Sequence, residues 1–174
     1  TLAITLNTSA TLAMVQALTH DITYYNTSDN PSTAIRTVTA TITDGVGGTS
    51  SPTTMTVNVI PVNDPPTISF VAPVIHYTET QSPQFVDQTL TLGDVDSPNF
   101  QDGSLTFDFT TGGLPEDQLG IATAGSITVS GTVVSYSGTQ IGTISGGSGT
   151  TPLMIRLNAN ATVAATLALA RNLT

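Results

Sequence analysis

Asn63 and Asp64 lie within VIPVNDPPTISF, residues 59–70, and Asp94, Asp96 and Asp102 lie within GDVDSPNFQDG, residues 93–103. Their oxygens are the donors a hard divalent cation takes, and calcium wants about six to eight at about 2.3–2.6 Å. Three carboxylates are crowded into one short acidic run, and bringing them together with Asp64 without a cation would set like charges against each other. The same residue types also have a purely local use, because Asp, Asn, Pro and Gly are turn formers. Calcium ligation and turn formation both remain open here. The run from Asp94 to Asn99 is not an EF-hand, because Pro98 occupies a ligand position and the loop glycine is missing.

No comparable constellation suits catalysis. His20 and His76 have no recognisable Ser or Cys partner, and a catalytic base needs an oriented one. Glu116 and Asp117 are adjacent, so on a strand they would point to opposite faces. The expectation is that the chain is not an enzyme. Tyr24 and Tyr25 are expected to divide between core and surface by strand alternation.

The wider composition favours the cation reading over several partners. Twelve acids against three bases, Arg36, Arg156 and Arg171, leave a formal charge of −9. That charge repels nucleic acid and anionic lipid and attracts divalent cations. There is no cysteine, hence no disulfide or thiolate site, and without lysine a Lys–Asn cross-link cannot form. No apolar run reaches the roughly 20 residues of a membrane span, so membrane insertion is not expected. Only 9% of residues are charged, while about a fifth are threonine. Short strands with Thr and Ser on their solvent faces follow from that mix.

The elements that would position the acids are organised by a repeat. Residues 2–23, LAITLNTSATLAMVQALTHDIT, match residues 153–174, LMIRLNANATVAATLALARNLT, at ten of 22 gapless positions. The offset of 151 residues defines the unit. Residues 1–60 then form the back part of one repeat and residues 68–174 the front part of the next, with 61–67 as linker. Pro61, Pro65 and Pro66 remove ladder donors and hold the linker extended.

Periodicity predicts a strand over 2–6 and a helix from Ala10 to Leu18, with Asn7, Thr8 or Ser9 as N-cap. The second copy repeats this, with Asn160 as cap and Val163, Leu167 and Leu169 apolar. Further strands are predicted at 21–26, 35–43, 53–60, 67–71, 75–79, 88–93, 103–110, 119–122, 126–130, 132–136, 140–144 and 153–157. Short strands with one helix per unit predict an all-β sandwich elaborated by that helix.

The runs ITYYNTSDNPSTAIRTVTATITDGVGG, TVNVIPVNDPPT, DVDSPNFQDGSLTFDF and IRLNANATVAATLALARNLT resemble the cadherin-like repeats, related to chondroitin-sulfate-proteoglycan repeats, of giant bacterial surface and secreted proteins. The resemblance covers nearly the whole chain. It implies a Greek-key sandwich, tandem arrays and calcium at the domain junctions. Asn63 and Asp64 match the linker ligands, and Asp94 and Asp96 match the Asp-x-Asp pair at the linker-facing pole of the following domain. Glu79, in HYTET, resembles a first-strand glutamate that faces the next junction, and Asp44, in TITDG, an acidic strand end of the preceding domain. The linker departs from the cadherin pattern, reading Asn-Asp-Pro in place of Asn-Asp-Asn, and there is no Asp-Arg-Glu motif.

The resulting expectation is an extracellular, cell-surface or secreted structural and adhesive module. Its partners would be neighbouring repeats or protomers joined head to tail, with strand complementation as one route. The competing reading is a module that binds a cell-surface glycan or protein through loops such as 95–102 or 111–118.

Overall fold

The computed structural model describes residues 1–72 and 74–174, and the chain divides into two compact units, Thr1–Pro61 and Val62–Thr174. The protein is mostly antiparallel β-sheet with two short helices, as expected of a sandwich-like fold.

The first unit holds α1 (Leu12–His20), β1 (Arg36–Ala40) and β2 (Thr53–Val57). The strands form an antiparallel hairpin in which Val38 pairs with Met55, Thr37 with Thr56 and Thr39 with Thr54. Directly paired residues share a face, so one face is threonine alone and the other carries Val38 and Met55. No residue of this unit is fully buried. The predicted strands over 2–6 and 21–26 do not form, and the reason is visible in the second unit.

The second unit carries β3 (Thr67–Ser69), β4 (Thr91–Gly93), β5 (Ser104–Phe107), β6 (Ile127–Ser130), β7 (Val133–Tyr136), β8 (Thr139–Ser145), β9 (Leu153–Leu157) and α2 (Val163–Ala170). β3 and β4 pair antiparallel, and a five-stranded sheet runs β5-β9-β8-β7-β6. Its hairpins are tight. Ser137 and Gly138, both at positive φ, make the two-residue loop between β7 and β8, the geometry that matches strand twist. The predicted strand at 119–122 is reduced to an isolated bridge between Ile121 and Leu173, and 75–79 is not a strand.

β9 is a central strand, bonded to β5 on one edge and β8 on the other. Its side chains alternate as period 2 demands, with Leu153, Ile155 and Leu157 buried and Met154 and Arg156 exposed. They join Leu90, Leu105, Phe107, Ile127, Val134, Ile141 and Leu169 in one core. α2 packs against β4 and β7. Beyond the sheet, the chain end is held by further backbone bonds. Phe100 N donates to Ala161 O, Val86 N to Leu173 O, and Gly120 and Thr174 bond each other in both directions.

The two copies of the repeat nonetheless share their local structure. Thr11 and Thr162 are the N-caps, each Oγ1 accepting from the backbone N–H three residues on. The predicted caps Asn7, Thr8, Ser9 and Asn160 lie too early. Asn7 and Asn158 instead close equivalent turns, each Oδ1 accepting at 2.9 Å from the N–H two residues on. Secondary structure is therefore the same in the helix and turn, and only the strand differs. Residues 2–6 lack the two neighbouring strands that residues 153–157 have.

That difference is measurable. Ile155→Ala removes a fully buried branch and should lower stability by about 2–5 kcal/mol. The matching Ile4→Ala, at a side chain 48% exposed, should change it by less than about 0.5 kcal/mol. Urea-unfolding midpoints of the two variants check this.

Candidate functional site

The β3–β4 register pairs Thr67 with Gly93 and Ile68 with Leu92. Residues 64–66 enter β3 as residues 94–96 leave β4, so the antiparallel pair sets Asp64 beside Asp96. Asp64 N donates to Asp96 Oδ2 at 3.0 Å, across 32 residues of sequence. Asn63 Nδ2 donates to Asp64 O at 2.9 Å, with Asn63 itself exposed. The prolines at 65 and 66 have no N–H to offer the ladder, and pairing begins directly after them at Thr67.

Asp94 and Asp96 are half-buried. Asp94 Oδ1 accepts from Ser97 N at 2.8 Å and from Asp96 N at 3.2 Å. The Ser97 N–H does most to hold this carboxyl below the usual range, against desolvation, with the Asp96 N–H adding to it. Asp96 Oδ1 is buried and has no hydrogen-bond partner among the described residues. A buried carboxylate oxygen left unpaired is unfavourable unless something positive meets it, so this oxygen is the atom of the corner with acceptor capacity to spare. Among the described residues, no three His, Cys, Asp or Glu side chains converge on one point. Two carboxylates, Asp94 and Asp96, therefore share this corner, which Asp64 reaches through its backbone N–H.

The remaining candidates occupy turns of their own. Asp102 has φ +63°, is exposed and accepts from Gln101 Nε2 at 3.4 Å. Glu79 is exposed beside Thr80, φ +72°, in a turn closed by Gln81 N donating to Thr78 O. Asp44 belongs to the first unit, where its Oδ1 accepts from Val46 N and Gly48 N at 2.9 Å each. Those two N–H groups, Val46 first, hold its carboxyl below the ordinary value. For Asp44 the turn-forming role is realised.

The set-aside groups also find local positions. Asp117 Oδ2 accepts from Leu114 N at 2.8 Å and closes the GLPED turn. Tyr24 and Tyr25 are both exposed, at 49% and 84%, because their unit has no core to receive either ring. The correspondence of His20 with Arg171 in the repeat suggests an exposed polar position, and His20 is exposed, but Arg171 departs from it. It is half-buried instead and donates from Nε to Leu90 O at 2.8 Å.

Sequence reasoning missed Asp87, the one buried carboxylate of the second unit's described residues. Its Oδ2 accepts from Val71 N at 2.6 Å and Ala72 N at 2.9 Å, and its Oδ1 from Thr89 N and Thr89 Oγ1. It thus fastens the segment that leaves β3 to the turn before β4. The run FVDQTL has no spacing that marks such a role, since the two donors that fasten the β3 segment, Val71 N and Ala72 N, lie 16 and 15 residues away.

Comparison of the chain with protein-family models, curated proteins and solved structures finds no match. Among the described residues, no helix is long and apolar enough to cross a membrane.

The Thr89 hydroxyl, followed by the surrounding N–H groups, holds the Asp87 carboxyl far below its ordinary value. Its folded pKa is below the unfolded value of about 3.9, so the folded state binds fewer protons. Its contribution is present above about pH 4 and is lost as pH falls through the folded value. Asp87→Asn should lower the urea midpoint at pH 7, and the gap from the parent protein should narrow as pH drops below about 4. A gap that stays constant down to pH 2 would contradict this.

Proposed function

We propose that this chain is a structural and adhesive module of a tandem-repeat extracellular protein or filament, with a Greek-key, cadherin-like sandwich as its unit and calcium stiffening the junctions. One observation carries the reading. The stretch at 2–23 recurs at 153–174 with the same cap, the same turn and the same helix start. A chain that restarts its own pattern after 151 residues is built in series, and serial units supply reach.

The connector supports the stiffening role. Three prolines limit its conformations, and the Asp64–Asp96 bond ties it to the unit that follows. Asp94 and Asp96 would hold the ion, with Asn63 and Asp64 adding oxygens from the connector. Bound calcium would neutralise the two carboxylates and meet the unpaired Asp96 oxygen. No catalytic role is assigned to these acids.

Titration calorimetry with CaCl2, and melting curves with calcium and with EDTA, test the calcium component. Calcium at about 100 times its Kd should stabilise the folded state by about 2.7 kcal/mol, and Asp96→Asn should abolish both the heat and the shift. No heat at millimolar calcium and an unchanged melting temperature would remove calcium from the reading.

A further inference from the structure

The first unit carries a bare apolar face whose missing cover is displayed elsewhere in the same chain. Leu2, Ile4 and Leu6 are 72%, 48% and 40% exposed, whereas Leu153, Ile155 and Leu157 at the matching positions are 1%, 0% and 7% exposed. Leu18 is 37% exposed against 0% for Leu169, and Ile22 54% against 2% for Leu173. Side chains of the same type at the same register are therefore buried in one copy and open in the other. Singly exposed apolar residues are ordinary, but a face whose twin is a core signals an absent partner.

We propose that this face seats a β-segment homologous to residues 62–151, carried directly ahead of the first unit in the same polypeptide. In the second copy that segment provides every neighbour. Strands β5 and β8 flank β9. Val86, Leu90, Phe100 and Gly120 bond to the chain between Ala161 and Thr174. Pro152 runs straight into Leu153, so a segment joined in this way is held at high effective concentration. With it, residues 2–6 become a central strand and α1 covers one face of the completed sheet.

A second copy of this chain is a poorer occupant. Its matching slot is already filled by its own residues 153–174. Residues 2–23 would also bring Met14 where Ala165 is 1% exposed, and Thr19 where Ala170 is 1% exposed. Extra volume in a packed site forces strain, and the added hydroxyl of Thr19 would need a partner. The occupant therefore resembles residues 62–151 but leaves room opposite Met14. The proposal rests on the serial-repeat reading above for the source of the segment, and does not depend on calcium.

The test is a chain lengthened by residues 62–151 placed directly before Thr1, which holds the place of Pro152, compared by amide hydrogen exchange with the 174-residue chain. In the shorter chain, residues 2–6 should exchange near the unprotected rate. In the lengthened chain they should slow by about 100-fold or more, with residues 153–157 as the internal control for folding. Met14→Ala should raise the melting temperature of the lengthened chain and leave that of the shorter chain unchanged. Fast exchange at 2–6 in the lengthened chain, with and without Met14→Ala, while 153–157 stays protected, overturns the proposal. So does a shorter chain that sediments as an oligomer with 2–6 protected, since the occupant is then a second copy. A missing calcium response leaves the exchange result intact, so the two readings fail separately.

Discussion

A central strand of an antiparallel sheet satisfies its backbone on both edges, and nearly everything in this protein depends on which residues have that opportunity. β9 has it, between β5 and β8. Leu153, Ile155 and Leu157 then become core, α2 has a sheet to cover, and the last residues of the chain are stitched to 86–90 and 120–122. Residues 2–6 carry the same Leu-x-Ile-x-Leu alternation and form no strand. Alternation shows which face would be buried, but it does not supply the neighbours.

The acidic corner follows from the same pairing logic on a smaller scale. Three residue pairs join β3 to β4, and this short ladder brings the connector against the Asp94–Asp96 turn. Asp87 fixes the other end of that segment by gathering the N–H groups of Val71 and Ala72. The two carboxylates have contrasting situations. Both Asp87 oxygens are occupied by donors, so it needs nothing further. Asp96 has one oxygen on Asp64 N and one buried without a donor among the described residues. Acid content alone cannot separate a structural carboxylate from one with spare coordination, but the donors on each oxygen can.

Much of the local structure was legible in the sequence, and its limits are instructive. The strand at 153–157 and both helices follow from period, which acts within a few residues, whereas the expected bounds of the strands before them miss that both hairpin loops, Gly131-Thr132 and Ser137-Gly138, have two residues. The N-caps were misplaced by two or more residues, since Asn, Thr and Ser crowd the sequence from Asn7 to Thr11 and again from Asn158 to Thr162. The Asn of each run serves the turn and its final Thr serves the helix. The pairing of β3 with β4 places Asp64 N on Asp96, beside Asp94, while Asp102, Glu79 and Asp44 sit in turns of their own. The long-range roles of Asp87 and Arg171 were invisible because the backbone groups they hold lie 15, 16 and 81 residues away, and the one local partner of Asp87, Thr89, marks only a turn.

The low charge content and the serial pattern belong to one physical argument. A sheet protein with few lysines and glutamates must keep its solvent faces wet by hydroxyls, as the Thr37–Thr56 and Thr39–Thr54 pairs do. Hydroxyl faces carry little of the charge that usually blunts unpaired strand edges, so an incomplete sheet of this composition is open to pairing. The opposite face of that hairpin, with Val38 and Met55 at 41% and 62% exposure, offers apolar area to whatever pairs. Under the serial reading proposed above, a segment attached in the same polypeptide would answer both problems. The charge that is present is mostly acidic, and part of it stands where Asp94 and Asp96 share one turn, with the backbone N–H of Asp64 on Asp96 directly ahead of two prolines that offer the ladder no donor.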